Sequence, residues 1–139
     1  MRRSRSIMYG GFKMNIAFAR NEYANTKSNA LTEKAENFEA VKIALTQLLE
    51  SMSGLKTAAD AEEREPFFEK SLTSIYFLQK CLDFESGGDL AKNLFKVYEF
   101  ARQAILDFVL RGKGQDNVDK SIEYVTLILD GWNGIEDSV

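Results

Sequence analysis

The clearest information about the fold lies in residues 82–105, which read LDFESGGDLAKNLFKVYEFARQAI. This stretch opens on an apolar-periodic segment that ends near Phe84, and Gly87 and Gly88 then supply the backbone freedom that a tight reversal needs. Asp89 follows, where an acidic side chain favours the positive N-terminal end of a new helix. Beyond Asp89, apolar residues recur at alternating intervals of four and three, which is helical spacing. These residues are Leu90, Leu94, Val97, Ala101, Ala104 and Phe108.

The helix that follows the glycines has a wide apolar face. Further apolar residues extend its stripe around one flank, and Phe100 lies at the other edge. A surface helix that packs on one side needs an apolar arc of only about 100°. Such a helix is either buried among several neighbours or packs on a core and a partner at once, and the pattern by itself is compatible with both.

Helical spacing also runs through the chain on either side of this stretch. The predicted helices span residues 31–53, 64–84, 89–111 and 117–132. No segment shows the sustained two-residue alternation of a strand, and short connections favour antiparallel neighbours. We therefore expect an all-α, antiparallel four-helix bundle over residues 31–139, preceded by a flexible, largely irregular N-terminal arm over residues 1–30.

Several residues suggest where these helices begin and end. Gly54 is a plausible end for the first helix, and Gly131 and Gly134 for the last, which Asp116 is expected to N-cap. The start of the second helix is ambiguous between Ala61 and Pro66. Capping-box spacing favours the earlier position, and the preference of proline for a first turn favours the later one.

Composition narrows the classes of function. The 139 residues include no histidine, which removes the commonest metal ligand and general base, and a single cysteine, Cys81, which fits a reducing cytoplasm. The net charge of −3 argues against a nucleic-acid partner, and no apolar run approaches the ~18 residues of a membrane helix. The acidic cluster from Asp60 to Glu65 is expected to be a solvated connector. We expect no cofactor, no metal and no catalytic site.

The N-terminal residues differ in charge from the remainder. Residues 1–13 contain four basic side chains and no acid, so the remainder carries a net charge of −7. Glycines interrupt the short apolar run at Ile7 and Met8, so the segment lacks the core of a secretory signal. We expect a disordered tail, with translation from Met8 or Met14 as one explanation and a functional basic arm as the other.

The order of motifs from Leu82 to Tyr98 resembles the signature of the flagellar secretion chaperones, the FliS family. The signature combines a leucine–aspartate pair, a Gly-Gly-acid turn and an Ala-x-Asn-Leu-x-x-x-Tyr helix. Its matching residues here are Leu82, Asp83, Gly87, Gly88, Asp89, Ala91, Asn93, Leu94 and Tyr98. Trp132 and Ile135 match the Trp-x-x-Ile of the family's last helix, whereas the Pro-x-x-Leu pattern of its first helix is not evident.

The resemblance implies a fold and a function. Members of the FliS family are cytoplasmic antiparallel bundles that bind the C-terminal helical segment of newly made flagellin, prevent its early polymerisation and help deliver it to the export gate. Their binding mode places a helix in an apolar groove. A tyrosine in the family's N-terminal segment lies near the binding surface, and Tyr23 is the matching position; the alternative is that Tyr23 staples this segment to the bundle.

The candidate binding surface consists of second apolar stripes on three predicted helices, whose side chains we expect to be partly exposed. With Tyr23, the candidate partner-binding residues are Phe77, Cys81, Phe84, Phe95, Tyr98, Leu106, Val109, Tyr124 and Leu127. Exposed apolar patches on a small protein mark partner sites. The alternatives are helices that merely touch two neighbours, or a homodimer with a structural or regulatory role unrelated to flagella. For Cys81 we expect a packed, unreactive thiol.

Overall fold

A computed structural model describes residues 28–138, and within them the side chains of residues 37–135. The helices are α1 (Ser28–Thr57), α2 (Ala61–Lys80), α3 (Phe84–Arg111) and α4 (Gln115–Ser138). Each helix packs on its neighbours in the chain, and α4 packs on α1 to close the bundle. The predicted all-α four-helix bundle is confirmed. None of these helices combines the length and apolar character needed to cross a membrane.

Contacts at the two ends of the bundle show that α1 and α4 run antiparallel. Lys56, near the end of α1, forms an ion pair with Asp119, near the start of α4. At the opposite end, the ring of Trp132 stacks on that of Phe38 with centroids 4.3 Å apart. The indole Nε1 of Trp132 also donates a hydrogen bond to the carbonyl oxygen of Phe38, at 3.0 Å. The last helix is therefore joined to the first by packing and by a partly buried hydrogen bond.

The core lies between all four helices. Its largest fully buried side chains are Trp132, Tyr98, Leu45, Leu48, Met52, Leu55, Ile75 and Leu78. Each buried side chain of this size contributes roughly 1.5–3 kcal/mol relative to exposure. On α1 the buried residues Val41, Leu45, Leu48 and Met52 recur at intervals of four, three and four, the spacing of one helix face.

The buried face of α3 differs from the predicted stripe. The buried residues are Ala91, Leu94, Tyr98, Ala101, Ala104 and Ile105, here called the central stripe of α3. Leu90 is exposed, and Val97 and Phe108 are only half-buried. At about 100° per residue, the buried face is rotated by about 50° from the predicted one. The packing of α3 between α2 and α4 sets the direction of its buried face. The spacing of apolar residues does not define that direction when the apolar face is wide.

Helix α2 ends earlier than the sequence predicted, and residues 81–83 connect it to α3. Helix α2 ends at Lys80, and Asp83 is the N-cap of α3, since its Oδ1 accepts hydrogen bonds from the backbone nitrogens of Glu85 and Ser86, both at 3.1 Å. Gly88, at φ 50° and ψ −127°, kinks α3 after its first turn. The prediction that the second helix extends to residue 84 was wrong, because α2 ends at Lys80. Gly88 interrupts the helical backbone where the sequence predicted a break, and the longer part of α3 follows from residue 89. Asp83 satisfies two N–H groups, so the helix starts before the glycines.

The start of α2 follows the capping box. The Oδ1 of Asp60 accepts a hydrogen bond from the backbone nitrogen of Glu63 at 2.8 Å, and Glu63 Oε1 accepts one from the nitrogen of Ala59 at 3.1 Å. Helix α2 therefore begins at Ala61. Pro66 lies inside the helix, where its missing N–H leaves out one backbone hydrogen bond. The ambiguity between the two start signals is resolved in favour of the cap.

Glycines expected to end α1 and α4 lie inside these helices. Helix α1 continues past Gly54 to Thr57, and a Cβ at Gly54 would lie 2.5 Å from the ring of Phe67 on α2. Helix α4 continues through Gly131 and Gly134 to Ser138, with open space at both Cβ positions. Gly54 is thus a packing residue between α1 and α2. Asp116 lies in the first turn of α4 and is not its N-cap.

Replacing Gly54 by alanine should destabilise the bundle, because the new methyl group would overlap the Phe67 ring. We expect a loss of about 1–3 kcal/mol. The matched control is Gly131→Ala, which adds the same group to a helix interior with nothing nearby and should stabilise by up to about 1 kcal/mol. Urea unfolding of both variants measures the difference. A stabilised Gly54→Ala protein would contradict the close contact between α1 and α2.

Truncating Leu94, in the central stripe, should lower the free energy of unfolding by about 2–5 kcal/mol. Leu110→Ala, on the same helix but exposed, is the control and should change it by less than about 0.5 kcal/mol. Ile122 is only half-buried against the core, so Ile122→Ala should cost less than Leu94→Ala. An equal loss of unfolding free energy for Leu94→Ala and Leu110→Ala, measured by thermal or urea unfolding, would contradict the burial of Leu94.

Candidate functional site

Two aromatic pairs flank the central stripe of α3. On one side, the rings of Phe84 and Phe95 meet edge to face with centroids 6.0 Å apart. On the other side, Phe100 contacts Tyr124 of α4, with centroids 5.9 Å apart. Phe95 and Phe100 are five residues apart, so they project about 140° from one another around the helix axis. The two aromatic pairs therefore lie on two separate sides of α3.

Most of the predicted residues are partly exposed, as expected. Phe84 is 38 % exposed and Tyr124 39 %, whereas Leu127 is 63 % exposed. The others in this group are half-buried: Phe77, Cys81, Phe95, Leu106 and Val109. All of these half-buried side chains except Leu106 pack against the core. Side chains of this kind offer apolar area to a partner while the core holds them in place.

Tyr98 does not share this exposure. Its side chain is 0 % exposed, so the expectation of a partly exposed Tyr98 was wrong. The rotation of the buried face of α3 brings Tyr98 into the core, where burial and then the nearby Cys81 raise the pKa of its hydroxyl well above the usual range. Tyr98 supports the surface from beneath. Tyr23 lies outside the described residues.

Cys81 has the properties of a packed thiol. It contacts the core at the turn between α2 and α3. Burial raises the pKa of its thiol to about 12, and the positive charge of Lys80 opposes this only in part. The thiol is therefore protonated near neutral pH and is a poor nucleophile. Among the described residues, no three acidic, cysteine or histidine side chains form a group suited to a metal ion.

The raised pKa of Cys81 predicts slow reaction with thiol reagents. In the folded protein at pH 8, modification should be at least tenfold slower than in the urea-unfolded chain, because the thiolate is the reacting species. The folded rate should keep rising with pH beyond 9, since the thiol ionises only near pH 12. A reagent absorbing at visible wavelengths can follow both rates. Equal rates in the folded and unfolded chains would contradict the burial.

A polar pair interrupts the stripe that joins Phe95 to Leu106. Arg102 donates from Nε to Glu99 Oε1 at 2.9 Å and from Nη2 to Glu99 Oε2 at 3.0 Å. Gln79 of α2 donates to the same Oε1 at 2.9 Å. The hydrogen bonds from Arg102, joined by that from Gln79, lower the pKa of Glu99. These four α3 residues lie within about 60° around the axis. Phe95 and Leu106 were both predicted from the sequence as partner-binding residues, whereas the polar pair between them was not.

Other apolar side chains are exposed that the sequence did not indicate as binding residues, and one of them, Leu90, was predicted to lie in the apolar stripe of α3. They are Ile43, Tyr76, Leu90 and Leu110. Phe100 was noted at the edge of the wide apolar face, but its contact with Tyr124 depends on how α3 and α4 are aligned. Tyr76 also lies 5.9 Å from the ammonium group of Lys80. An exposed aromatic beside a basic residue was visible in the sequence as Tyr76 and Lys80, four residues apart on one helix face.

Comparison with protein families identifies the chain. Residues 14–139, nearly its whole length, match the family described as flagellar protein FliS. Searches of curated proteins and of solved structures gave no match. The match includes the residues of the Gly-Gly-acid motif and of the last helix, together with the first helix, where the resemblance was weakest. This chain belongs to the FliS family of flagellar proteins, which act as chaperones in flagellum biogenesis and export.

Proposed function

We propose that this FliS-family chaperone binds the C-terminal helical segment of flagellin in the cytoplasm, prevents its premature polymerisation and assists its export through the flagellar secretion apparatus. One observation carries the proposal. Aromatic pairs lie on both flanks of α3, at Phe84–Phe95 and at Phe100–Tyr124, with partly exposed side chains on each side. A helical client has apolar side chains that suit such sites.

The geometry supports an extended mode of binding. A single short helix contacts one side of α3, whereas the two aromatic pairs face about 140° apart. A client segment with two helical parts joined by a turn reaches both sides. Binding energy in such interfaces is concentrated in a few aromatic and apolar anchors. We therefore assign the main contacts to Phe95 and Leu106 on one side and to Tyr124 and Leu127 on the other.

Binding of this kind also accounts for chaperone action. The client buries its apolar helical face against the bundle, so that face is no longer available for association with another flagellin molecule. No catalytic step is required. The second partner that we propose is the export gate. Release of flagellin there depends on competition between the gate and the chaperone for the same segment.

A binding assay with two forms of flagellin tests the proposal. The chaperone should retain full-length flagellin and should not retain flagellin that lacks its C-terminal segment. It should also delay polymerisation of full-length flagellin in proportion to its concentration. Size-exclusion chromatography of the chaperone alone reports on the alternative, a homodimer formed through the same faces. A tight dimer without affinity for either form of flagellin would overturn the proposal.

Substitution of Phe95 and Leu106 together by alanine should lower the affinity for flagellin at least tenfold, because both anchors of one side are removed. Phe95 also packs on the core, so we expect some loss of stability, and affinities are compared at a temperature where circular dichroism shows both proteins folded. The control pairs Ile43→Ala with Tyr76→Ala, two exposed positions on α1 and α2, and should bind normally. Unchanged binding by the folded Phe95 and Leu106 variant would place the client elsewhere.

A further inference from the structure

The polar pair of Glu99 and Arg102 occupies the middle of a candidate client-binding stripe. Phe95, Glu99, Arg102 and Leu106 follow one another at intervals of four, three and four residues along α3. The two apolar ends are about 16 Å apart along the axis, at 1.5 Å per residue. A helix that docks on both ends must therefore cover the pair between them.

Most of the hydrogen-bonding capacity of the Glu99 carboxylate is used within the bundle. It accepts two hydrogen bonds from Arg102 and one from Gln79 of α2. These contacts fix the orientation of the Arg102 guanidinium, because both partners of the bidentate pair are on the same helix and α2 anchors the carboxylate. Glu99 and Gln79 are thus positioning residues for Arg102.

Arg102 retains hydrogen-bonding capacity. A guanidinium carries five N–H groups, and the bonds to Glu99 use two of them. Among the described residues, none accepts a hydrogen bond from the other three N–H groups. The side chain is 39 % exposed, so water solvates these groups when nothing is bound. A docked apolar helix would remove that water, and unsatisfied N–H groups in an interface weaken binding.

We infer that Arg102 fixes the register of the client helix by donating hydrogen bonds to a carboxylate or amide oxygen on it. This inference rests on the proposed function. The client segment that fits is an amphipathic helix with apolar residues about 11 positions apart and an Asp, Glu, Asn or Gln side chain roughly midway between them. A helix docked in another register leaves the guanidinium unsatisfied, so the pair discriminates against it.

The test is a double-mutant cycle measured by calorimetry with the full chain and the C-terminal segment of flagellin. Arg102→Ala should weaken binding at least fivefold. In the segment, each Asp, Glu, Asn and Gln of the helical part is replaced singly by alanine. One replacement should weaken binding to the wild-type chaperone by a similar factor and have little further effect on the Arg102→Ala protein, because the two residues act as one contact.

Arg111→Ala is the matched control. Arg111 is also paired with a carboxylate of α3, Asp107, but it lies nine residues from Arg102 and therefore on the opposite side of the helix. Its replacement should leave affinity within twofold. Arg102→Lys provides a second variant, since it keeps the positive charge beside Glu99 but not the fork of N–H groups. It should lose most of the coupling to the client residue.

The outcomes separate this inference from the proposed function. If the wild-type chaperone does not bind the segment, both are overturned. If it binds, but every double substitution gives the product of the single effects, only the role of Arg102 is overturned. Tighter binding by Arg102→Ala would likewise overturn it, because the pair would then merely tie α2 to α3 and interrupt an apolar contact.

Discussion

Trp132 joins the last helix of the bundle to the first, and the positions of the other helices depend on that junction. Its ring stacks on Phe38 and its indole nitrogen donates to the Phe38 carbonyl. The residues are 94 positions apart in the chain, so the contact forms only once α4 has returned beside α1. With α1 and α4 joined, α3 is held against α2 and α4 and buries its central stripe. The flanks of α3 then become the surfaces available to a partner.

The candidate site follows from this arrangement. A helix with a narrow apolar stripe would show only polar side chains beside its buried face, whereas α3 shows Phe95 on one flank and Phe100 on the other. Phe95 meets the ring of Phe84 from the first turn of the same helix, and Phe100 meets Tyr124 of α4. The Glu99–Arg102 pair adds a directional contact to a surface that is otherwise apolar. In the binding mode that we propose, apolar area contributes affinity and the fixed guanidinium sets the register of the bound helical segment.

The glycines illustrate why helix ends were predicted less well than helices. Helix α1 passes through Gly54 because the Phe67 ring of α2 leaves no room for a side chain there, and this contact lies in another part of the chain. The predicted break at Gly87 and Gly88 is a kink at Gly88, and a single helical turn capped by Asp83, five residues earlier, precedes it. By contrast, the capping box at Asp60 is a local interaction between neighbours in sequence. It was therefore visible in the sequence as one of two candidate starts of α2, and it is the one that forms.

The helical class, the four helices and the family signature around Gly87 and Gly88 could be predicted from the sequence. These features depend on periodicity and on local hydrogen bonds, which act over a few residues. Only the tertiary structure decided which side of α3 is buried, that Tyr98 belongs to the core, and that Phe100 meets Tyr124. It also placed Gln79 beside Glu99 and so revealed the fixed Arg102. The physical reason is that a wide apolar face allows several rotations of a helix, and contacts with α2 and α4 select one of them.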